Sequence, residues 1–127
     1  MLDNKVDKIK IYFIRHPDGS LDHIEKFLRQ RDFDTYSNAD VKEAFADIIK
    51  IQPAHVFICL DHPNEKINAI PKLLLQSLIV TVIPYVNGNS VNNIRMIQTF
   101  KSDYKLFPPN PSPSVLRLLN KIAKDQA

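Results

Sequence analysis

The chain lacks the features that mark secreted or membrane-spanning proteins. It contains one cysteine, Cys59, among 127 residues. A lone cysteine excludes a disulfide within the chain and favours a reducing compartment. The first residues carry too many charges for a signal peptide, and no apolar run approaches the roughly 20 residues that a membrane span requires. We therefore expect a cytoplasmic protein without membrane contact.

A long basic run is also missing. The net charge is +3, and the 17 lysines and arginines are scattered along the chain. A nucleic-acid-binding tail would concentrate them, so we do not expect this chain to bind nucleic acid. With 44% hydrophobic and 24% charged residues, the composition is that of an ordinary soluble protein. The length fits one domain over residues 1–127, with an N-terminal tail over residues 1–7.

The most apolar stretch is Ala54-His-Val-Phe-Ile-Cys-Leu-Asp61. Five apolar residues in a row lie within it, and Pro53 and Pro63 flank it. A run this short and this apolar predicts a strand buried on both faces, as in the middle of a parallel sheet. Ligands of such sheets gather beyond the carboxyl ends of the strands, which makes Asp61 a candidate site residue.

Other strands and helices are predicted from the spacing of apolar residues. Short runs predict further strands at residues 8–14, 34–37, 78–83 and 104–107. Helical periodicity follows each strand, and the first helix places Glu25 and Arg29 opposite its apolar face. Capping signals occur at Ser20, Asp40, Ser90 and Ser112. Pro71 predicts that the helix after the central strand is short or broken.

Five strand-then-helix units in succession indicate an α/β protein. Such alternation gives a parallel sheet with helices on both faces. The predicted fold is therefore flavodoxin-like and doubly wound: a five-stranded parallel sheet in a (βα)5, three-layer α/β/α arrangement. The fold alone does not specify a function, because it hosts many.

Over residues 8–125 the chain resembles the CheY-like receiver domain of bacterial response regulators. The likeness lies in the length, in the five units and in the ending, where Tyr104 opens the last strand, Phe107-Pro108 closes it and a capped amphipathic helix follows. The resemblance implies a domain that accepts a phosphoryl group on an aspartate at the end of the third strand. It also implies a Mg²⁺ held by that aspartate and by an acidic pair after the first strand. A Ser or Thr after the fourth strand and a Lys before the Pro after the fifth strand would contact the phosphate.

The positions that carry this chemistry differ in this chain. Arg15 and His16 replace the acidic pair, and Asp18 is the only carboxylate close to them in the sequence. A guanidinium there would repel Mg²⁺, which binds carboxylate oxygens. The phosphoacceptor position falls on Asp61, or on Leu60 if the third strand is one residue shorter.

The two phosphate-contacting positions also differ. Pro84 or Tyr85 takes the place of the Ser or Thr, and Phe107 takes the place of the Lys, with Lys105 two residues too early. The resemblance therefore implies a degenerate pseudo-receiver. The remains of its phosphoacceptor pocket are Arg15, His16, Asp18, Asp61, Tyr85 and Phe107.

Three other readings stay open on the residues alone. Asp61 is the phosphoacceptor if the domain is an active receiver. The run Ile11-Tyr-Phe-Ile-Arg15-His16 also resembles the opening of the histidine phosphatases, in which the histidine takes the phosphoryl group. His16, His62 and Asp61 also suit zinc or iron as ligands, although no metal-binding spacing supports this.

We expect a non-enzymatic module that needs no metal or other cofactor. It would form the N-terminal part of a larger bacterial signalling protein and bind another signalling protein or a C-terminal output domain. The resemblance implies an interaction face made by the fourth helix, fifth strand and fifth helix, which could also form a homodimer. Tyr104, Arg95 and Arg117 are the candidate contact residues on that face.

Overall fold

A parallel sheet forms the middle layer of the protein. The computed structural model describes residues 8–127, and the predicted tail over residues 1–7 lies outside the described residues. The strands are β1 (Ile9–Ile14), β2 (Phe33–Asn38), β3 (His55–Cys59) and β4 (Thr81–Tyr85). They are parallel and lie in the order β2-β1-β3-β4. All five residues of β3 are buried, which confirms the prediction of a central strand.

Helices cover both faces of this sheet. They are α1 (Asp22–Arg29), α2 (Val41–Ile51), α3 (Ile70–Ser77), α4 (Val91–Thr99) and α5 (Ser112–Asp125), with a short 3-10 helix at Glu65–Ala69. Residues of α1 and α5 pack in one hydrophobic cluster with one face of the sheet. Residues of α2, α3 and α4 pack in a second cluster with the opposite face. The predicted α/β class and three-layer arrangement are therefore confirmed.

Several helices begin at the capping residues that the sequence predicted. The side chains of Asp40 and Ser90 accept hydrogen bonds from the backbone N–H groups of Glu43 and Asn93, at 2.8 and 3.1 Å. Pro71 lies in the first turn of α3, where its missing N–H is not needed, and the 3-10 helix precedes it. This agrees with the predicted broken helix.

Two caps and one side chain differ from the prediction. The cap of α5 is Pro111 instead of Ser112, and Leu21 precedes α1 without a side-chain hydrogen bond. Glu25 is only 5% exposed, although the helical pattern placed it on the polar face. Its position borders the apolar face of α1, and Arg29 one turn later lies 3.6 Å from its carboxylate.

The predicted strand at residues 78–83 lies about three residues later, at Thr81–Tyr85. The predicted strand at residues 104–107 is wrong, because the sheet in residues 8–127 has four strands instead of five. This segment runs beside β4, and the N–H of Leu106 donates to the oxygen of Pro84 at 3.0 Å.

The outer edge of β4 explains why a fifth strand does not form. The carbonyl of Tyr85 accepts from Leu60 on the β3 side, so the preceding residue, Pro84, faces the outer edge. Proline has no N–H to donate to a further strand. The carbonyl of Val82, also on the outer edge, accepts from the hydroxyl of Ser102 at 3.3 Å. In place of the backbone hydrogen bonds of a fifth strand, the outer edge of β4 accepts one backbone hydrogen bond, from Leu106, and one side-chain hydrogen bond, from Ser102.

Among residues 8–127, the structure contains no helix with both the length and the apolar character needed to cross a bilayer.

Candidate functional site

The candidate site lies where the carboxyl ends of β1, β3 and β4 meet. Residues that follow parallel strands converge at this edge of a sheet. Arg15 and His16 follow β1, Asp61 follows β3 by two residues, and Tyr85 is the last residue of β4. The structure therefore brings together four of the six residues that the sequence analysis assigned to a degenerate pocket.

The carboxylate of Asp61 is the centre of a hydrogen-bond network. Its Oδ1 accepts from the backbone N–H of Asn87 at 2.9 Å and from the thiol of Cys59 at 2.8 Å. Its Oδ2 accepts from the side-chain amide of Asn93 at 2.9 Å, and the same amide donates to the carbonyl of Gly88 at 3.2 Å. Asp61 therefore joins the end of β3 to the loop after β4 and to the first turn of α4.

Cys59 and Tyr85 form the floor below this carboxylate. They are paired across β3 and β4 as the last residues of their strands, and both are buried. Burial and the hydrogen bond to Asp61 raise the pKa of the Cys59 thiol above its ordinary value. Burial, together with the nearby Cys59 and Asp61, raises the pKa of Tyr85 well above 10.0. The Tyr85 hydroxyl donates to the carbonyl of Ile14 at 3.3 Å. Both groups therefore stay neutral at physiological pH.

The residues after β1 give the site a basic side. Arg15 is half-buried, its backbone N–H donates to Asn38, and its guanidinium lies 3.5 Å from the carbonyl of Gly19. Asp18 is exposed, and its backbone N–H donates to Nδ1 of His16 at 3.0 Å. Asp18 thus interacts with His16 through its backbone, and Arg15 is the charged group that follows β1 directly.

His16 and His62 lie near each other at the same edge, with ring centroids 6.2 Å apart. Nδ1 of each ring accepts a backbone N–H, from Asp18 for His16 and from Asn64 for His62. A neutral imidazole with Nδ1 as acceptor carries its proton on Nε2. Nε2 of His62 donates to the carbonyl of Ala39 at 2.6 Å. In this arrangement Nδ1 of each ring is occupied by a backbone N–H. Across residues 8–127, clusters of three or more metal-ligating side chains are absent.

The segment after β4 does not complete the pocket with a lysine. Phe107 stands where receivers have that lysine, and it is 47% exposed. The Lys105 amine donates to the carbonyl of Gln98, near the end of α4, at 3.0 Å. Lys105 therefore contacts the carboxyl-terminal end of a helix, where a positive charge is favourable.

Arg95 and Arg117 lie on the helices where the sequence placed them, whereas Tyr104 lies in a segment that is not the predicted strand. Arg95 is exposed on α4, and Arg117 is exposed on α5 and donates to Ser114 Oγ at 3.0 Å. Tyr104 is half-buried: its ring packs against the cluster beneath α1 and α5, and its hydroxyl donates to Asp125 at 3.0 Å.

Sequence reasoning missed Asn87, Asn93 and the role of Cys59. An available signal was the group of asparagines in the loop after β4 and the first turn of α4, where the backbone N–H of Asn87 and the side-chain amide of Asn93 donate to Asp61.

No protein-family model and no curated protein matches the chain. Solved structures do match it. The chemotaxis protein CheY4 of Vibrio cholerae is 14% identical, with a TM-score of 0.73 over 91% of this chain and 98% of that one. A CheY-like receiver domain from Methanospirillum hungatei is 14% identical, with a TM-score of 0.75 over 94% and 96%. The BeF3-activated N-terminal receiver domain of Klebsiella pneumoniae RstA is 17% identical, with a TM-score of 0.70 over 88% and 96%. The chain therefore has the fold of a response-regulator receiver domain.

Proposed function

We propose that this chain is a pseudo-receiver, a non-enzymatic signalling module that binds other proteins and does not accept a phosphoryl group. The main support is the network around Asp61, whose carboxylate accepts hydrogen bonds from Cys59, Asn87 and Asn93. A phosphoacceptor must present one oxygen to phosphorus. Phosphorylation of Asp61 would break part of this network and release the loop after β4.

Charge is a second support. The acidic pair that would hold Mg²⁺ in a receiver is replaced by Arg15 and His16. In phosphoryl transfer, bound Mg²⁺ ions neutralise the charge that develops on the transferred group. A guanidinium in the metal position repels Mg²⁺, and the carboxylate of Asp18 is exposed beyond it.

Position is a third support. The phosphoacceptor of receivers ends the third strand, and here β3 ends at Cys59, with Asp61 two residues further on. Leu60, the alternative position, is buried in the cluster beneath α2, α3 and α4. A thiol buried below a carboxylate and raised in pKa is a poor nucleophile.

In this proposal the domain forms the N-terminal part of a larger bacterial signalling protein in the cytoplasm, and it transmits by contact with a partner or an output domain. The structure of RstA provides an analogy, since it is described as an N-terminal receiver domain. The proposed contact face comprises α4, residues 104–107 and α5, with Arg95, Tyr104 and Arg117. Nucleic acid and membranes are not proposed partners of this domain.

The test is incubation with acetyl phosphate and Mg²⁺, followed by intact-protein mass spectrometry, with an active receiver domain as positive control. We expect the control to gain phosphoryl mass and this chain to gain none. Phosphoryl mass that disappears in Asp61→Asn would overturn the proposal and make the chain an active receiver. Hydrolysis of a phosphomonoester that is lost in His16→Ala would instead make it a phosphatase.

A further inference from the structure

A groove between α2 and α3 carries apolar and basic residues on its walls. We call it the α2–α3 groove; it has a volume of about 330 Å³ and is lined by Val41, Lys42, Phe45, Lys66, Ala69, Ile70 and Leu73. Leu73 is 42% exposed, and Phe45 is half-buried. Ile49, one turn beyond Phe45 on α2, is also exposed. Val41 and Ile70 belong to the hydrophobic cluster beneath α2, α3 and α4, and Phe45 packs against it, whereas Leu73 and Ile49 lie outside both clusters and face solvent.

The charged residues of the groove have one sign. The two charged side chains among the seven lining residues are Lys42 and Lys66, both exposed. They lie on opposite walls, because Lys42 belongs to α2 and Lys66 to the 3-10 helix before α3. A ligand that enters the groove therefore meets a positive charge on each side of an apolar floor.

The acidic residues of α2 lie away from this groove. Asp47 accepts a hydrogen bond of 2.6 Å from the hydroxyl of Tyr12, and Glu43 is close enough to contribute to the raised pKa of the same hydroxyl. On a helix, Glu43 and Asp47 follow one another at four-residue spacing on one side, whereas Lys42, Phe45 and Ile49 lie on the other. The acidic side chains of α2 thus lie on the side away from α3, and Lys42 is the charged residue on the side that faces α3.

We propose that the α2–α3 groove binds an acidic, amphipathic segment of a partner protein. An aliphatic or aromatic residue of that segment would fill the space beside Phe45 and Leu73, and flanking Asp or Glu residues would pair with Lys42 and Lys66. The α2 residues that line the groove span Val41 to Phe45, and the exposed Ile49 extends this side of the helix by one turn, to about 12 Å, which matches about two turns of a partner helix. The proposal extends the interaction role proposed above to a second surface, and it does not depend on Tyr104, Arg95 or Arg117.

The test is selection of random displayed peptides against the whole chain, followed by affinity measurements on variants. We expect the selected peptides to contain an aliphatic or aromatic residue flanked by Asp or Glu. Leu73→Glu should weaken their binding about tenfold or more, because it places an acid in the apolar part of the groove. The charge reversal Lys42→Glu with Lys66→Glu should weaken it by a similar factor.

Leu75→Glu is the matched control, since it makes the same change on the same helix. Leu75 is 60% exposed and lines a different cavity, beside Pro71 and Phe100. Its variant should bind the peptides as the wild type does. Tyr104→Phe should also leave this binding unchanged, which separates a failure here from a failure of the α4–α5 contact face. If Leu73→Glu does not fold, the double lysine variant decides, because both lysines are exposed.

Four results would overturn the proposal. They are the absence of any enriched peptide, enriched peptides without acidic residues, binding that survives the double lysine reversal, and equal loss in Leu75→Glu. Self-association of the chain that Leu73→Glu abolishes would make a second copy the occupant. Binding to vesicles of anionic phospholipid that depends on Leu73 would make it a membrane surface.

Discussion

Gly19 faces Asn87 so closely that a Cβ atom on Gly19 would overlap Oδ1 of Asn87. These residues belong to the loops after β1 and β4, and the second loop is bound to Asp61 through the N–H of Asn87. The two loops are thus packed against each other at the edge of the sheet that carries Asp61. This contact gives a direct way to test how tightly the candidate site is closed.

The first prediction concerns this contact. The backbone of Gly19 does not have a positive φ angle, so Ala fits the local conformation and meets only the side chain of Asn87. We expect Gly19→Ala to lower the free energy of unfolding by no more than about 1 kcal/mol, because only the end of the Asn87 side chain must shift. In an Asn87→Ala background the same change should cost close to nothing. Urea denaturation of the four proteins measures the coupling, and equal costs in both backgrounds would contradict the contact.

The second prediction tests the structural role of Asp61. Both carboxylate oxygens of Asp61 accept hydrogen bonds, but an asparagine has only one acceptor oxygen. In Asp61→Asn an NH2 group therefore faces one of the present donors, and that hydrogen bond is lost. We expect a loss of about 1–3 kcal/mol in the free energy of unfolding. Asp18→Asn is the control: Asp18 is exposed, and a change within about 0.5 kcal/mol is expected there.

A double variant sharpens this test. Asn93→Asp alone sets two carboxylates against each other, whereas Asp61→Asn with Asn93→Asp restores one donor and one acceptor. The double variant should therefore be less destabilised than the sum of the single variants. Strict additivity would show that Asp61 and Asn93 do not interact as the 2.9 Å distance indicates.

Local patterns were enough to predict most of the fold. The buried central strand followed from five consecutive apolar residues, and the break at Pro71 followed from proline chemistry. The missing fifth strand could not be predicted in this way. It depends on which residues of β4 face outwards, and the placement of Pro84 at that edge is set by the pairing of β4 with β3.

The site was predictable in position but not in its interactions. The ends of β1, β3 and β4 were correctly expected to meet. However, Asp61 is bound by Asn87 and Asn93, which lie 26 and 32 residues away in the sequence. Contacts at that separation depend on the exact loop geometry, which no local pattern specifies.

The third prediction concerns pH and His55. This residue is 7% exposed at the start of β3, and its Nδ1 has no hydrogen-bond partner among the described residues. Burial lowers the pKa of His55 from its ordinary value of 6.5, because the charged form loses water. Below pH 6.5 the unfolded chain binds a proton at His55 more readily than the folded chain does. The free energy of unfolding should therefore fall as the pH drops below 6.5 and should not be lowered by His55 well above that pH.

Chemical denaturation between pH 7.5 and pH 5 measures this effect. The variant His55→Leu should lose part of the pH dependence, whereas His23→Leu, on the exposed side of α1, should keep it. A pH profile identical in wild type and His55→Leu would exclude His55 as the titrating group.

The fourth prediction concerns the reactivity of Cys59. Its thiol is fully buried, donates to Asp61 and has a raised pKa, and only the thiolate is a good nucleophile. We expect reaction with a disulfide reagent such as Ellman's reagent to be slow in the native protein and rapid in denaturant. Asp61→Asn should speed the native reaction, since it loosens the network above the thiol. A fast reaction in the native wild type would contradict the buried position.

The last prediction concerns the proposed contact face of α4, residues 104–107 and α5. The half-buried ring of Tyr104 contributes to the core, so Tyr104→Ala would change folding as well as binding, and Tyr104→Phe is the cleaner variant. It removes the exposed hydrogen bond to Asp125, and this loss should lower the free energy of unfolding by less than about 1 kcal/mol.

Arg95→Glu and Arg117→Glu reverse exposed charges on the same face and should leave the melting temperature near that of the wild type. If this face is used, both reversals weaken self-association in the ultracentrifuge, or the capture of a partner identified by pull-down. Lys26→Glu, on the exposed side of α1, is the control, and binding that is lost only in that variant would place the contact on α1 instead.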